Sequence, residues 1–154
     1  MAAASFPGER SRSCVSDFPG WVEPMAAYLT KPVLVVDDSQ TTVRVVRSLL
    51  GRIGFKDIDD ASNGMAALAK MVEKPYGIVI ADWNMEPMSG YELLKQVRAD
   101  SRISSTRLIL MTAELNASHV IAAKKAGANN YILKPFTDEV LRSKIEEALL
   151  VPSH

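Results

Sequence analysis

Cysteine is nearly missing from this chain. Cys14 stands alone among 154 residues, so no internal disulfide can form, and its thiol reads as incidental in a reducing compartment. Charge of one sign is not in excess either, because 18 lysines and arginines balance 18 aspartates and glutamates. That balance supplies no bulk field toward nucleic acid or an anionic membrane. Long apolar runs are missing too; none approaches the roughly 20 residues that span a bilayer. The amino terminus lacks the basic start and apolar stretch of a secretory signal, so a cytoplasmic protein without membrane insertion is expected. What is present, 47% hydrophobic and 23% charged residues, suits one soluble globular domain with a real core.

Residues 1–30 carry Pro7, Gly8, Pro19, Gly20 and Pro24 among scattered polar residues with no sustained period. They are expected to form a flexible N-terminal extension, with Phe18 and Trp21 as its side chains able to dock and Met25 as an alternative start. From Lys31 onward, apolar stretches alternate with helical periodicities. Strands are predicted at 32–37, 58–61, 77–82, 107–112 and around Tyr131, and helices at about 40–52, 64–73, 89–98, 117–126 and 137–149. The inward stripes read Val43, Val46, Leu49, Leu50, Ile53 in the first helix; Ala67, Leu68, Met71, Val72 in the second; Tyr91, Leu94, Val97 in the third. The last helix offers Val140, Leu141, Ile145 and Leu149. Near-continuous apolar strands alternating with helices indicate an α/β fold, a doubly wound five-stranded parallel sheet over residues 31–150, with 151–154 as a tail.

Ligands of such a sheet sit beyond the carboxyl ends of the strands, where strand order reverses. Five polar residues fall at those ends: Asp37 and Asp38 after the first strand, Asp82 after the third, Thr112 after the fourth and Lys134 after the fifth. Strand order 2-1-3-4-5 would bring the three acids together. Clustered carboxylates repel and raise one another's pKa. A hard divalent cation relieves that conflict, and two carboxylates with a backbone carbonyl suit Mg²⁺. Such a site welcomes a phosphoryl group, with Lys134 as a point charge and Thr112 as a hydroxyl donor for its oxygens. Asp82 is then the candidate nucleophile, forming an acyl phosphate by in-line displacement. Taken singly, each element is ordinary: Asp37–Asp38 would serve as a turn or helix cap, and Lys134–Pro135 as a loop with a candidate cis bond.

In combination, Val35-Val36-Asp37-Asp38, Asp82-Trp83-Asn84-Met85, Met111-Thr112-Ala113-Glu114 and Lys134-Pro135-Phe136 resemble the receiver domain of two-component response regulators, nearest to the single-domain, CheY-like chemotaxis type. The resemblance covers about residues 31–150. It implies a flavodoxin-like (βα)5 fold of order 2-1-3-4-5 and phosphoryl transfer from a sensor histidine kinase to Asp82. It further implies Mg²⁺ on Asp38, Asp82 and the Asn84 main-chain carbonyl, with Asp37 acting through a metal-bound water. Thr112 and Lys134 would hold the phosphoryl oxygens, and Tyr131 would be the switch aromatic that turns inward after transfer. Asn84 and Glu114 would tune dephosphorylation. Output would pass to a protein target through the face of the fourth helix, fifth strand and fifth helix of the repeat (α4-β5-α5 in the family's labels).

Two departures stand out. Glu86 intervenes between Met85 and Pro87, where the family commonly has proline directly. The stretch Leu115-Asn116-Ala117-Ser118-His119 lacks the lysines of flagellar relatives. An alphaproteobacterial stress-response or kinase-network regulator therefore competes with a chemotaxis role. An aspartate-nucleophile phosphohydrolase is disfavoured, because Asn84 replaces the acid such enzymes carry two residues after the nucleophile. Trp83 is expected to cover the pocket. His119 reads as a lone histidine on a polar helix face, without a metal or catalytic role. No helix-turn-helix or basic region follows residue 150, so direct DNA binding is not expected.

Overall fold

The computed structural model describes residues 22–114 and 116–150. Cys14, Phe18, Trp21 and the 151–154 tail lie outside them. Five parallel strands form one sheet of order β2-β1-β3-β4-β5, as the resemblance implied: β1 (Val33–Val36), β2 (Ile58–Ala61), β3 (Ile78–Asp82), β4 (Arg107–Thr112) and β5 (Asn130–Leu133). Six helices accompany them: α1 (Val22–Leu29), α2 (Gln40–Ile53), α3 (Gly64–Glu73), α4 (Gly90–Ala99), α5 (Ala117–Ala126) and α6 (Asp138–Leu150).

Alternation along the strands divides the core in two. Val33, Val35, Ile78, Ile80, Ile109, Met111 and Ile132 face α2 and α6, while Leu34, Val36, Val79, Ala81, Leu108 and Leu110 face α3, α4 and α5. Burial on both faces explains why β1 and β3 read as unbroken apolar runs. Side-chain caps set where the helices begin. Ser39 accepts from the Thr42 N–H, Asn63 from Ala66 and Asn116 from Ser118 and His119, and Ser89 forms a reciprocal box with Glu92. Gly127 ends α5 in the left-handed region at φ 102°.

Three expectations need correction. Residues 22–29, read as part of a patternless extension, form α1, whose Tyr28 and Leu29 pack against the α2–α6 side of the core. The Lys31 N–H bonds back to the Tyr28 carbonyl and leads the chain into β1. Val72 and Val140, expected on inward stripes, are 42% and 43% exposed. Each lies one position beyond the centre of its stripe, which is Ala67–Met71 in α3 and Leu141–Ile145 in α6. Leu93, left out of the third stripe, is fully buried beside Leu94.

Candidate functional site

The register of the sheet assembles the site. β1 lies between β2 and β3 with Val36 opposite Ala81, so Asp37 emerges beside Asp82; β4 pairs Met111 with Asp82, and β5 pairs Leu133 with Thr112. All five strand-end polar residues thereby share one edge. Oxygens of Asp37, Asp38 and Asp82 lie within 4.8 Å of one another. Asp37 and Asp82 are buried and Asp38 is exposed. The Lys134 ammonium reaches across to Asp82 Oδ1 at 2.8 Å and Asp37 Oδ2 at 3.6 Å.

Three carboxylates facing one ammonium leave the pocket short of positive charge. Asp37 records that deficit. Burial, followed by the charges of Asp82 and Asp38, holds its carboxyl above the usual range, against the pull of the Ser39 N–H and Lys134. Its Oδ1 accepts from Ser39 at 2.9 Å, while Oδ2 is buried without a hydrogen-bond partner. Lys134 is shifted upward as well, for the opposite electrostatic reason. Burial pushes its ammonium down, but the hydrogen bond to Asp82 and the attraction of both aspartates outweigh that, and its pKa rises. A buried carboxylate oxygen with no hydrogen bond of its own, beside two further carboxylates, is a donor set that fits a hard divalent cation.

The loop after β3 is held tightly. The Trp83 N–H bonds to the Met111 carbonyl at 2.8 Å, and the Gly90 N–H bonds to the Trp83 carbonyl at 2.9 Å. Gly90 is required by close approach: a Cβ there would collide with the Asp82 carbonyl oxygen, a backbone atom with no room to yield. Both Glu86–Pro87 and Lys134–Pro135 are cis, and only the second was a candidate from sequence. Asp38, Trp83, Asn84, Met85, Glu86 and Ser89 line an open cleft of about 340 Å³ beside the carboxylates.

On the other side, Thr112 is buried and its hydroxyl donates to the Glu114 carbonyl at 3.2 Å. The same carbonyl accepts from the Tyr131 hydroxyl, also at 3.2 Å. Two hydroxyls from adjacent strands thus share one acceptor. Asn84 and Glu114 are both exposed near the acidic edge. The structure assigns His119 surroundings that sequence reasoning missed. It is half-buried and stacked on Trp83. No sequence signal announces that contact, because α5 and the β3–α4 loop meet only through the strand order.

The model of the response regulator receiver domain family matches residues 33–146. Chemotaxis protein CheY1 of Helicobacter pylori is 44% identical over 118 residues, which are 76% of this chain and 95% of that protein. A chemotaxis protein CheY homolog of Campylobacter jejuni is 42% identical over the same length, covering 76% and 91%. Among solved structures, chemotaxis response regulator CheY4 of Vibrio cholerae superposes with a TM-score of 0.72 at 31% identity, over 77% of this chain and 98% of that one. With five polar strand-end residues brought to one sheet edge, the chain belongs to the response regulator receiver family of two-component signalling.

Proposed function

We propose that the chain is a single-domain response regulator whose Asp82 accepts a phosphoryl group from a histidine kinase. The observation carrying this reading is the convergence of Asp37, Asp38, Asp82, Thr112 and Lys134 at one edge, with Asp82 held rigidly at the end of a fully buried strand. In the transfer, a carboxylate oxygen of Asp82 forms a bond to phosphorus as the phosphorus–nitrogen bond of phosphohistidine breaks. The electron pair leaves with the imidazole, which takes a proton. Lys134, released from Asp82, follows the charge onto a phosphoryl oxygen, and the Thr112 hydroxyl donates to another. Hydrolysis of the acyl phosphate, with Asn84 and Glu114 bordering the path of water, returns Asp82 and inorganic phosphate. The chain's own chemistry is confined to that cycle.

Mg²⁺ would be held by the carboxylates of Asp38 and Asp82 and the main-chain carbonyl of Asn84, with Asp37 acting through a bound water. When bound, it supplies the positive charge that three carboxylates and an incoming phosphoryl group require.

Moving the Thr112 hydroxyl to the phosphoryl group leaves the Glu114 carbonyl to Tyr131, which couples the site to the α5–β5–α6 face. Exposed Ile121, Leu133 and Val140 on those three elements support a protein partner there. Chemotaxis is the favoured pathway, on the similarity to chemotaxis proteins at 42% and 44% identity. The lysine-free start of α5 favours the second reading, a stress-response or kinase-network regulator. Localisation in the cytoplasm follows from a kinase donor; no described helix is long and apolar enough to cross a membrane. Intact-mass analysis with acetyl phosphate and Mg²⁺ tests the acceptor: one base-labile phosphoryl group is expected, lost in Asp82→Asn. Equal labelling of Asp82→Asn would refute the assignment.

A further inference from the structure

Trp83, one residue from the acceptor, is enclosed by rings from three other elements. Tyr91 of α4 stacks on its indole at 5.3 Å and 12°, and His119 of α5 stacks on it at 4.4 Å and 8°. Tyr131 of β5 meets it edge-on at 6.5 Å. His119 is also fixed at its root, because its backbone N–H donates to the Asn116 cap at 3.3 Å. The rest of α5 is weakly anchored. Ala123 is its only buried residue, and Ala117 and Ser118 are exposed. A near-parallel ring contact is directional, and the small side chains around it cannot replace it. The acceptor loop therefore holds the first turn of α5 chiefly through this stack.

We propose that His119 is a positioning residue. Its ring, stacked on Trp83, makes the start of α5 follow the acceptor loop and so carries the phosphorylation state of Asp82 to the output face, beside the Thr112–Tyr131 route. This rests on the acceptor reading above. His119 touches none of the reacting atoms; it acts through Trp83. What the contact needs is a flat ring at position 119 rather than a basic group. Phenylalanine should therefore preserve the coupling and alanine should remove it. Losing the stack should leave phosphoryl transfer intact, because Lys134, Thr112 and the carboxylates are held by other contacts.

The test uses the full chain in a Trp21→Phe background, leaving Trp83 as the sole tryptophan. The parent, His119→Ala and His119→Phe are first labelled with acetyl phosphate and Mg²⁺, then compared by hydrogen exchange over α5 with and without Mg²⁺ and beryllofluoride. All three should take one phosphoryl group at similar rates. Trp83 emission should shift to the red in His119→Ala, whose indole loses its cover. Beryllofluoride should change α5 exchange alike in the parent and His119→Phe, and the change should fall by about twofold or more in His119→Ala, the lower end of what one coupling contact carries. An α5 response in His119→Ala equal to the parent's overturns the proposal, and so does a loss in His119→Phe as large as in His119→Ala. A parent that takes no phosphoryl group would overturn the acceptor reading and this proposal together. A labelled, responsive parent with an equally responsive His119→Ala would overturn the coupling alone.

Discussion

Removing one negative charge from the acidic edge should stabilise the protein when no divalent cation is present. Asp37 is the position to change, because it is buried and its excess charge has no partner beyond Lys134. At an effective dielectric of about 20, two carboxylates whose oxygens lie within 4.8 Å repel by about 3 kcal/mol or more, and an ammonium at 3.6 Å attracts by about 5 kcal/mol. Asp37 faces Asp82 and Asp38 against the single Lys134. The exposed Asp38 is partly screened, so the charge of Asp37 is net unfavourable by about 1 kcal/mol before its burial is added. Asp37→Asn keeps an oxygen for the Ser39 N–H and loses the charge. It should raise stability by about 1–2 kcal/mol, or about 3–8 °C in melting temperature for a domain of this size. The pH dependence has a defined sign. Because the folded pKa of Asp37 is raised above 3.8, its protonated form favours folding; that stability is full below 3.8 and lost as pH rises through the folded value. The advantage of Asp37→Asn should therefore be full at neutral pH and shrink on acidification toward 3.8. Added Mg²⁺ should stabilise the wild type more than the variant and narrow the gap. Thermal melts in chelator and in Mg²⁺, at neutral and acidic pH, measure all of this. A variant less stable than wild type at neutral pH in chelator would refute the charge-deficit reasoning.

Arg98 should matter to the fold more than any other surface-proximal cation, since its guanidinium donates to the carbonyls of Ser104, Thr106 and Gly127 and to Asn129 Oδ1. Arg98→Ala should cost about 3 kcal/mol in urea unfolding, and Arg98→Lys should recover less than half, because an ammonium cannot reproduce the fork. Asp59 sits in hydrogen bonds from Lys74 at 2.8 Å and Tyr76 at 2.6 Å, and these lower its pKa below 3.8. Its contribution is present above 3.8 and lost as pH falls through the folded value, so Asp59→Asn should flatten the acid limb of the stability curve; an unchanged limb would remove Asp59 from the acid transition. Phosphate loss after donor removal should slow in Asn84→Met, and in Glu114→Leu to a lesser degree. Unchanged decay in both would leave Asn84 with its backbone role alone.

Much of this was legible in the chain because buried parallel strands advertise themselves. Val33–Val36 and Ile78–Asp82 are apolar on both faces, and the polar residue that ends each one is necessarily at the carboxyl edge. That logic located Asp37, Asp82, Thr112 and Lys134 without coordinates. It could not place them together; only the order β2-β1-β3-β4-β5 does so. Single-residue packing was less legible. Val140 looks apolar in a helical pattern, yet the stripe of α6 centres on Leu141 and Ile145, leaving Val140 turned outward. Helix α1 was hidden because eight residues containing a proline carry too few turns to show a period, and its Tyr28 and Leu29 matter only once α2 and α6 are beside them. Gly90 reads as one more loop glycine until the Asp82 carbonyl is seen against its Cα. The Trp83–His119 stack joins residues 36 positions apart, with no local pattern at either end.

Asp82 as phosphoacceptor, with transfer dependent on a divalent cation at the acidic edge, can be tested in a single reaction. The most direct measurement is transfer from a phosphorylated histidine kinase domain, with the modified carboxyl reduced by borohydride and its position read by peptide mass spectrometry, in Mg²⁺ and in chelator. Modification of Asp82 is expected in Mg²⁺ and not in chelator, with Asp37 and Asp38 unmodified. Modification mapped to another residue, or equal modification of Asp82 in chelator, would contradict it.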